Sequence, residues 1–237
     1  MNNFFTIITI NFNNLDGLKN TVKSVLNQSL VDVEFIVIDG GSTDGSKAYI
    51  QANSEQFNYW VSEPDKGVYH AMNKGLSKAT GEFCLFLNSG DYLYDSLVLA
   101  DVFSQIDRSV SMCYGLIEWE SSTVLWNPRR DIAYFEMAFQ SLIPHQGVFF
   151  KTSMLRKIGG YKEEYRVISD WAAMLTLLHI GGSSQKIDRI ISTCETQGIS
   201  ATYERLAKKE RIHYLWRFAR RTFFLGYLYE LKKRFIR

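Results

Sequence analysis

Residues 34–45 read EFIVIDGGSTDG, and this stretch decides the fold. Glu34–Asp39 is a near-continuous apolar run, the pattern of a strand buried on both faces. Ser42, Thr43 and Asp44 then offer helix-cap chemistry ahead of a short helix at Lys47–Gln51. The same grammar holds on either side. Phe4–Phe12 is apolar and β-branched, and Leu15, Leu18, Val22, Val25 and Leu26 follow it at helical spacing. A weaker strand is expected at Asn58–Ser62, a helix at Tyr69–Ala79 and another buried strand at Glu82–Leu87. Strand–helix alternation with short Gly-bearing connections implies an α/β fold with a parallel sheet covered by helices.

After Asp95 the pattern loosens. Leu97–Ile106 reads as a helix, Met112–Trp119 and Val124–Trp126 as a hairpin, and Gly147–Phe150 as a strand. Thr152–Ile158 and Asp170–His179 read as helices, and Ile187–Ile191 as a late strand. No linker divides this region from the first, so 1–202 is expected to be one domain and 203–237 a helical tail.

Composition narrows the function. At 237 residues, 46% hydrophobic and 22% charged, the chain can bury a sizeable core and is not a disordered segment. Cys84, Cys113 and Cys194 form no close pair, which argues against a disulfide scaffold or a four-cysteine zinc site and for reduced thiols in a cytoplasm. The first residues carry no basic leader, and no apolar run approaches the ~18–20 residues that span a bilayer. Charge is unevenly spread: 203–237 holds 11 Lys or Arg against 3 Glu, the remainder 16 against 22 acidic residues.

In open α/β sheets, ligands bind beyond the carboxyl ends of the strands. Three expected strand ends carry similar polar equipment: Asn11-Phe12-Asn13-Asn14, the run Asp39 to Gly45, and Asn88-Ser89-Gly90-Asp91. Any one alone would read as turn chemistry; three at adjacent strand ends read as a binding edge. No dinucleotide fingerprint, phosphate-cradling Gly-x4-Gly-Lys loop, Gly-x-Ser-x-Gly elbow or His-x3-His pair occurs.

The strings TIITINFNN, SVLNQSL, EFIVIDGGSTDGS and SEPDKGVYHAMNKGLSKATGEFCLFLNSGDYL occur in that order and resemble the family 2 glycosyltransferases, which have the GT-A fold. The segment IPHQGVFFKTSMLRKIGGYKEEYRVISDWAAMLTLL is similar to the acceptor half of members that assemble bacterial polysaccharide. The resemblance implies transfer of a sugar from a nucleotide-sugar donor, usually with a divalent cation and with inversion. Carried over residue by residue, Thr9, Asn11 and Phe12 would line the base and Asp39 would accept its imide N–H. Gly41 belongs to the loop after Asp39, where the family often has a second acid at the position of Gly40. Lys66, Gly67 and Asn73 match the segment that closes over the nucleotide. In the metal string Asn88 and Gly90 stand where acids are usual, beside Ser89, and only Asp91 is retained to meet Mg²⁺ or Mn²⁺ on the diphosphate. Asp170 matches the catalytic base, with Glu163 and Glu164 as rivals, and His145, Gln146 and Trp171 the acceptor pocket.

The expectation is thus a metal-assisted, inverting GT-A enzyme using a UDP-sugar and a saccharide or lipid-linked saccharide acceptor. Its rivals are a catalytically silent sugar-nucleotide-binding scaffold and a sugar-nucleotide nucleotidyltransferase. The tail is expected to be amphipathic, with Ile212, Leu215, Trp216, Ala219, Phe223, Tyr227, Leu228, Leu231 and Phe235 at helical spacing. Arg217, Arg220, Arg221, Lys232, Lys233 and Arg234 supply cations. That suits an anionic membrane surface on the cytoplasmic side; packing on the body or in a homo-oligomer is the alternative, and nucleic acid is disfavoured by the acidic body.

Overall fold

The computed structural model describes residues 3–29, 32–120, 122–126, 137–138, 143–194 and 203–218. In chain order these form β1 (Phe5–Asn11), α1 (Leu15–Leu26), β2 (Val33–Asp39), α2 (Ser46–Ala52), β3 (Tyr59–Ser62), α3 (Val68–Lys78), β4 (Phe83–Phe86) and β5 (Tyr92–Leu93). There follow α4 (Val98–Gln105), β6 (Met112–Trp119), β7 (Ser122–Trp126), β8 (Val148–Lys151), α5 (Thr152–Lys157), α6 (Ser169–His179), β9 (Ser184–Cys194) and α7 (Glu204–Phe218).

One sheet runs β3-β2-β1-β4-β8-β6-β9-β5, with β7 paired to β6. Strands β1 to β4 are mutually parallel, as the alternating pattern implies. Beyond them the sheet is mixed: β8 is antiparallel to β4 and β6, β9 is parallel to β6, and β5 is antiparallel to β9. The parallel character is therefore confined mainly to the first half. Two strands went beyond the periodicity. β5 has two residues, too few to show a period, and β9 extends well past Ile187–Ile191 because backbone pairing along β6 holds its polar ends.

The apolar runs are continuous because both faces are covered. Along β1 and β2, Phe5, Ile7, Phe35 and Val37 pack under Leu18 and Val22 of α1. Ile8, Ile10, Ile36 and Ile38 pack on the opposite face against Met72 and Leu76 of α3. Each such fully buried side chain contributes about 1.5–3 kcal/mol. α3 approaches closely because of Gly75: a β-carbon there would lie 2.4 Å from Ile8 Cγ2. α6 is apolar nearly all round, since its residues Trp171–Leu175 and Leu177 are buried.

The first part of the tail belongs to this packing. Ala207, Tyr214 and Leu215 of α7 are buried in the same core cluster as α6, so Leu215 lies inward rather than on an outer stripe. Ile212 and Trp216 are 58% and 57% exposed. Ala219, Phe223, Tyr227, Leu228, Leu231, Phe235 and the cations from Arg220 onward lie outside the described residues. Among the described residues no helix is long and apolar enough to cross a membrane. The three cysteines are buried and free, and burial pushes the Cys84 and Cys113 thiols up to about 12.

Candidate active site

Register builds the first part of the site. Asn11 on β1 pairs with Asp39 on β2, which pairs with Ser62 on β3. Three adjacent parallel strands thus end in one polar row. Asp39 is 0% exposed. It accepts from Asn11 Nδ2 at 2.7 Å, Ser42 Oγ at 2.5 Å, Ser42 N at 3.0 Å and Ser62 Oγ at 2.6 Å. Burial alone would raise its pKa, but these bonds outweigh it and hold the carboxyl below its ordinary value. A carboxylate offers about four lone-pair sites, and all four are occupied. Asp39 is therefore first a brace for the loop, and a base N–H would have to displace one of its donors.

Neighbouring loops are tied into this edge. Asn13 N donates to Ser42 Oγ at 2.7 Å, and Thr43 N donates to Asn13 Oδ1 at 2.8 Å. Asn14 caps α1 through Gly17 N, donates to Ser89 O at 3.1 Å, and its carbonyl accepts from Ser89 Oγ at 3.0 Å. Gly90, at φ +103°, takes a backbone conformation that L side chains rarely adopt, and its N–H meets Thr21 Oγ1 at 3.1 Å. Thr9 Oγ1, Asn11 Oδ1 and Asn88 Oδ1 are buried without a hydrogen-bond partner among the described residues. Such atoms cost stability unless a ligand or water satisfies them.

Across the loop from Gly40 stands a residue that the sequence reading passed over, Asp65. A side chain at Gly40 would begin 2.6 Å from Asp65 Oδ2 and 3.2 Å from Phe12 Cδ2. The carboxylate missing at position 40 is thus replaced in space by one from the loop after β3. Asp65 Oδ1 accepts the Gly67 N–H at 2.7 Å, fixing the turn into α3. The Phe12 ring is 67% exposed beside it. Gly41 lies against the backbone at Pro64, and Lys66 is exposed nearby in sequence. Asn73 is engaged elsewhere, donating to Tyr161 O at 2.8 Å and to Glu163 Oε1 at 2.9 Å and accepting from Tyr161 N at 2.8 Å. It clamps α3 to the loop before α6.

The second part of the site comes from distant segments. Asp170, on the first turn of α6, accepts from Trp171 N at 2.8 Å, and its Oδ2 lies 3.1 Å from His145 Nδ1; the Tyr69 hydroxyl, 3.2 Å from Oδ1, shares its one proton with the closer Val167 O at 2.7 Å. Burial raises its pKa, but the His145 hydrogen bond, then Trp171 N and Tyr69, outweigh that and keep it below its ordinary value. It is ionised at neutral pH and about one-fifth exposed, with 21% of its side chain accessible. The rivals are placed elsewhere: Glu163 is held by Asn73, and Glu164 lies 3.7 Å from Arg217. Trp171 is buried, its indole N–H donating to Met137 O at 2.9 Å, so it supports the helix from the core.

His145 and Gln146 join the two parts. His145 Nε2 lies 3.2 Å from Asn88 Nδ2, and Gln146 Nε2 donates to Asp91 Oδ2 at 3.0 Å. Asp91 is 6% exposed, and among the described residues no group of three or more His, Cys, Asp or Glu could hold a metal ion. A lone carboxylate does not make a resident metal site. It does fit Mg²⁺ or Mn²⁺ arriving with a diphosphate, whose oxygens and water would complete the shell.

Known proteins resemble this chain in sequence and in fold. The chain is 39% identical over 171 residues to an uncharacterized glycosyltransferase of Mycobacterium tuberculosis, covering 70% of this chain and 65% of the relative. It is 31% identical over 172 residues to a PGL/p-HBAD biosynthesis glycosyltransferase of Mycobacterium bovis, covering 70% and 66%. The match thus spans about two thirds of each relative's length. Among solved structures, Staphylococcus aureus TarS residues 1–349 superpose with a TM-score of 0.69 at 17% identity, over 92% of this chain and 73% of that one. A Pyrobaculum calidifontis mannosyltransferase in complex with GDP-Man and Mn²⁺ gives 0.65 at 18% identity, over 84% and 59%. These likenesses establish the GT-A fold. The family model for glycosyl transferase family 2 matches residues 6–163, and the chain belongs to that family.

Proposed function

We propose that the protein is an inverting glycosyltransferase that moves a sugar from a UDP-sugar to a saccharide or lipid-linked saccharide acceptor. The single observation that carries this reading is that two differently built carboxylates are linked through one short turn. Asp91 stands at the end of the parallel half, Asp170 at the start of α6, and consecutive residues His145 and Gln146 touch one each. A silent scaffold would have no use for an ionised, partly exposed Asp170 held in this way. A nucleotidyltransferase would need a Gly-rich basic first loop, and Asn11–Asn14 has neither feature.

In this reading the base stacks on Phe12, whose exposed ring offers a π-face, and Asp65 Oδ2 accepts its imide N–H. Uracil has that hydrogen and cytosine lacks it, so the contact would discriminate between them. Thr9 and Asn11 present polar atoms to the nucleoside. The 88–91 loop faces the diphosphate, with Asp91 holding the divalent cation, which when bound offsets leaving-group charge. The acceptor hydroxyl attacks the anomeric carbon opposite the diphosphate, Asp170 takes its proton, and the bond to the diphosphate breaks with release of UDP. A panel of UDP- and GDP-sugars with Mn²⁺ or Mg²⁺, read by thermal shift and nucleotide release, tests this. UDP-sugars should stabilise the protein and release UDP; stabilisation by none of the panel would exclude the reading.

The exposed face of α7 supports a peripheral membrane position. Arg205, Lys209, Ile212 and Trp216 follow i, i+4, i+7, i+11 spacing and are all exposed. Apolar insertion together with roughly 1 kcal/mol per cation near anionic lipid would hold the enzyme reversibly. Trp216→Ala should reduce co-sedimentation with phosphatidylserine vesicles at low salt; equal binding by the variant would place the contact elsewhere.

A further inference from the structure

The residues that link the two carboxylates also contact each other. Asn88 occupies a position where an acid is usual in the family string, and its side chain meets His145 rather than another carboxylate. His145 opens a single turn of 3-10 helix, His145–Gly147, directly after Pro144. Its side chain is 12% exposed, with Asn88 on the Nε2 side and Asp170 on the Nδ1 side. An amide N–H can only donate and an ionised carboxylate can only accept. The neutral imidazole that satisfies both neighbours carries its proton on Nδ1.

We propose that Asn88 and His145 are positioning residues for the base: the Asn88 amide selects the Nδ1–H tautomer of His145, and that N–H fixes Asp170 Oδ2. The inference rests on the reading of Asp170 as the base. Trp171 N and His145 each engage one carboxylate oxygen, the Tyr69 hydroxyl divides its one proton between Oδ1 and the closer Val167 O, and the remaining lone-pair capacity is left for an acceptor hydroxyl. The chain of contacts also explains the departure from the family string. An acid at position 88 could not donate to Nε2. It would accept instead, and His145 could keep both partners only as an imidazolium between two carboxylates, which would weaken Asp170 as a base. Because Asn88 lies on the loop assigned to the diphosphate and Gln146 meets Asp91, donor binding and base orientation share one short turn.

The test has a readout that needs no substrate. In ¹⁵N-histidine NMR of the full chain, with His145→Asn used for assignment, His145 should be the Nδ1–H tautomer at neutral pH, and Asn88→Ala should shift it away from that state. The Nε2–H tautomer in the wild type, or an unchanged His145 signal in Asn88→Ala, would overturn the proposal. Kinetically, His145→Ala should lower turnover of the accepted UDP-sugar about tenfold or more while changing its KM little. His145→Asn, whose amide can donate near the Nδ1 position, should recover part of that loss. Equal turnover in His145→Ala and wild type, with Asp170→Asn inactive, would sink the positioning role yet leave the base assignment standing. Wild-type turnover in Asp170→Asn would instead sink the base assignment.

Discussion

The two halves of the candidate site are built in opposite ways. The proposed donor edge is made at the ends of parallel strands by residues that register brings side by side: Asn11, Asp39 and Ser62 sit in one row because β1, β2 and β3 run together. The base side is made by contacts across the chain: Tyr69 to Asp170, 101 residues apart, and Asn88 to His145, 57 apart. Short strings define the first and tertiary packing defines the second. The proposed donor edge is thus braced by its own loops, whereas the proposed base is held from α3 and the 145–147 turn.

The largest effect is expected where that contrast is sharpest. Asp170→Asn should cut turnover by about 10²-fold or more, the usual scale for loss of a general base, while UDP affinity stays near wild type. Steady-state kinetics with a parallel UDP titration checks both. A matching loss of affinity would mean that the two halves are not separable.

Next is the base contact. Asp65→Ala should weaken UDP binding about tenfold, close to 1.4 kcal/mol, both with Mn²⁺ and with chelator. A loss seen only with the cation would move Asp65 to the diphosphate and erase the distinction between base and phosphate contacts.

Acid stability probes the brace itself. The folded pKa of Asp39 lies below its unfolded value, near 3.9. Its contribution is therefore present above about pH 5 and lost as pH falls through the folded value. Asp39→Asn should cost about 1–3 kcal/mol at pH 7 and lose less further stability than wild type between pH 5 and pH 3. Urea titrations at the three pH values measure this, and parallel curves would contradict it.

The smallest effect belongs to the far support of α6. Tyr214 Oη lies 2.5 Å from Thr176 Oγ1, and Glu210 accepts the N–H groups of Arg166 and Val167 just before α6. Tyr214→Phe should cost about 1 kcal/mol with turnover nearly unchanged. A large drop in turnover would show that the base side is sensitive to α7 rather than merely packed against it.

What the sequence made legible follows the same division. Strands β1, β2 and β4 and their polar ends could be read because buried parallel strands are written as apolar runs followed by Gly, Asn and Asp. The string marks Asp170 as a candidate base, yet neither Tyr69 nor the link from Asn88 through His145 has a local signature. Asp65 stands inside the SEPDKG string, but only the clearance at Gly40 reveals what its carboxylate replaces. Asn73 and Trp171 carry the family's pattern while the fold commits them to a loop clamp and to the core. In the mixed half of the sheet, β5 and the ends of β9 escape period counting, since β5 is too short and β9 is polar at both ends.

The most direct test of the donor edge is a UDP titration of wild type and Asp91→Ala, each with Mn²⁺ and with EDTA. Wild-type affinity is expected to fall when the cation is removed, and Asp91→Ala is expected to show the EDTA value under both conditions. Persistence of the full Mn²⁺ enhancement in Asp91→Ala would contradict the assignment of the 88–91 loop to the diphosphate.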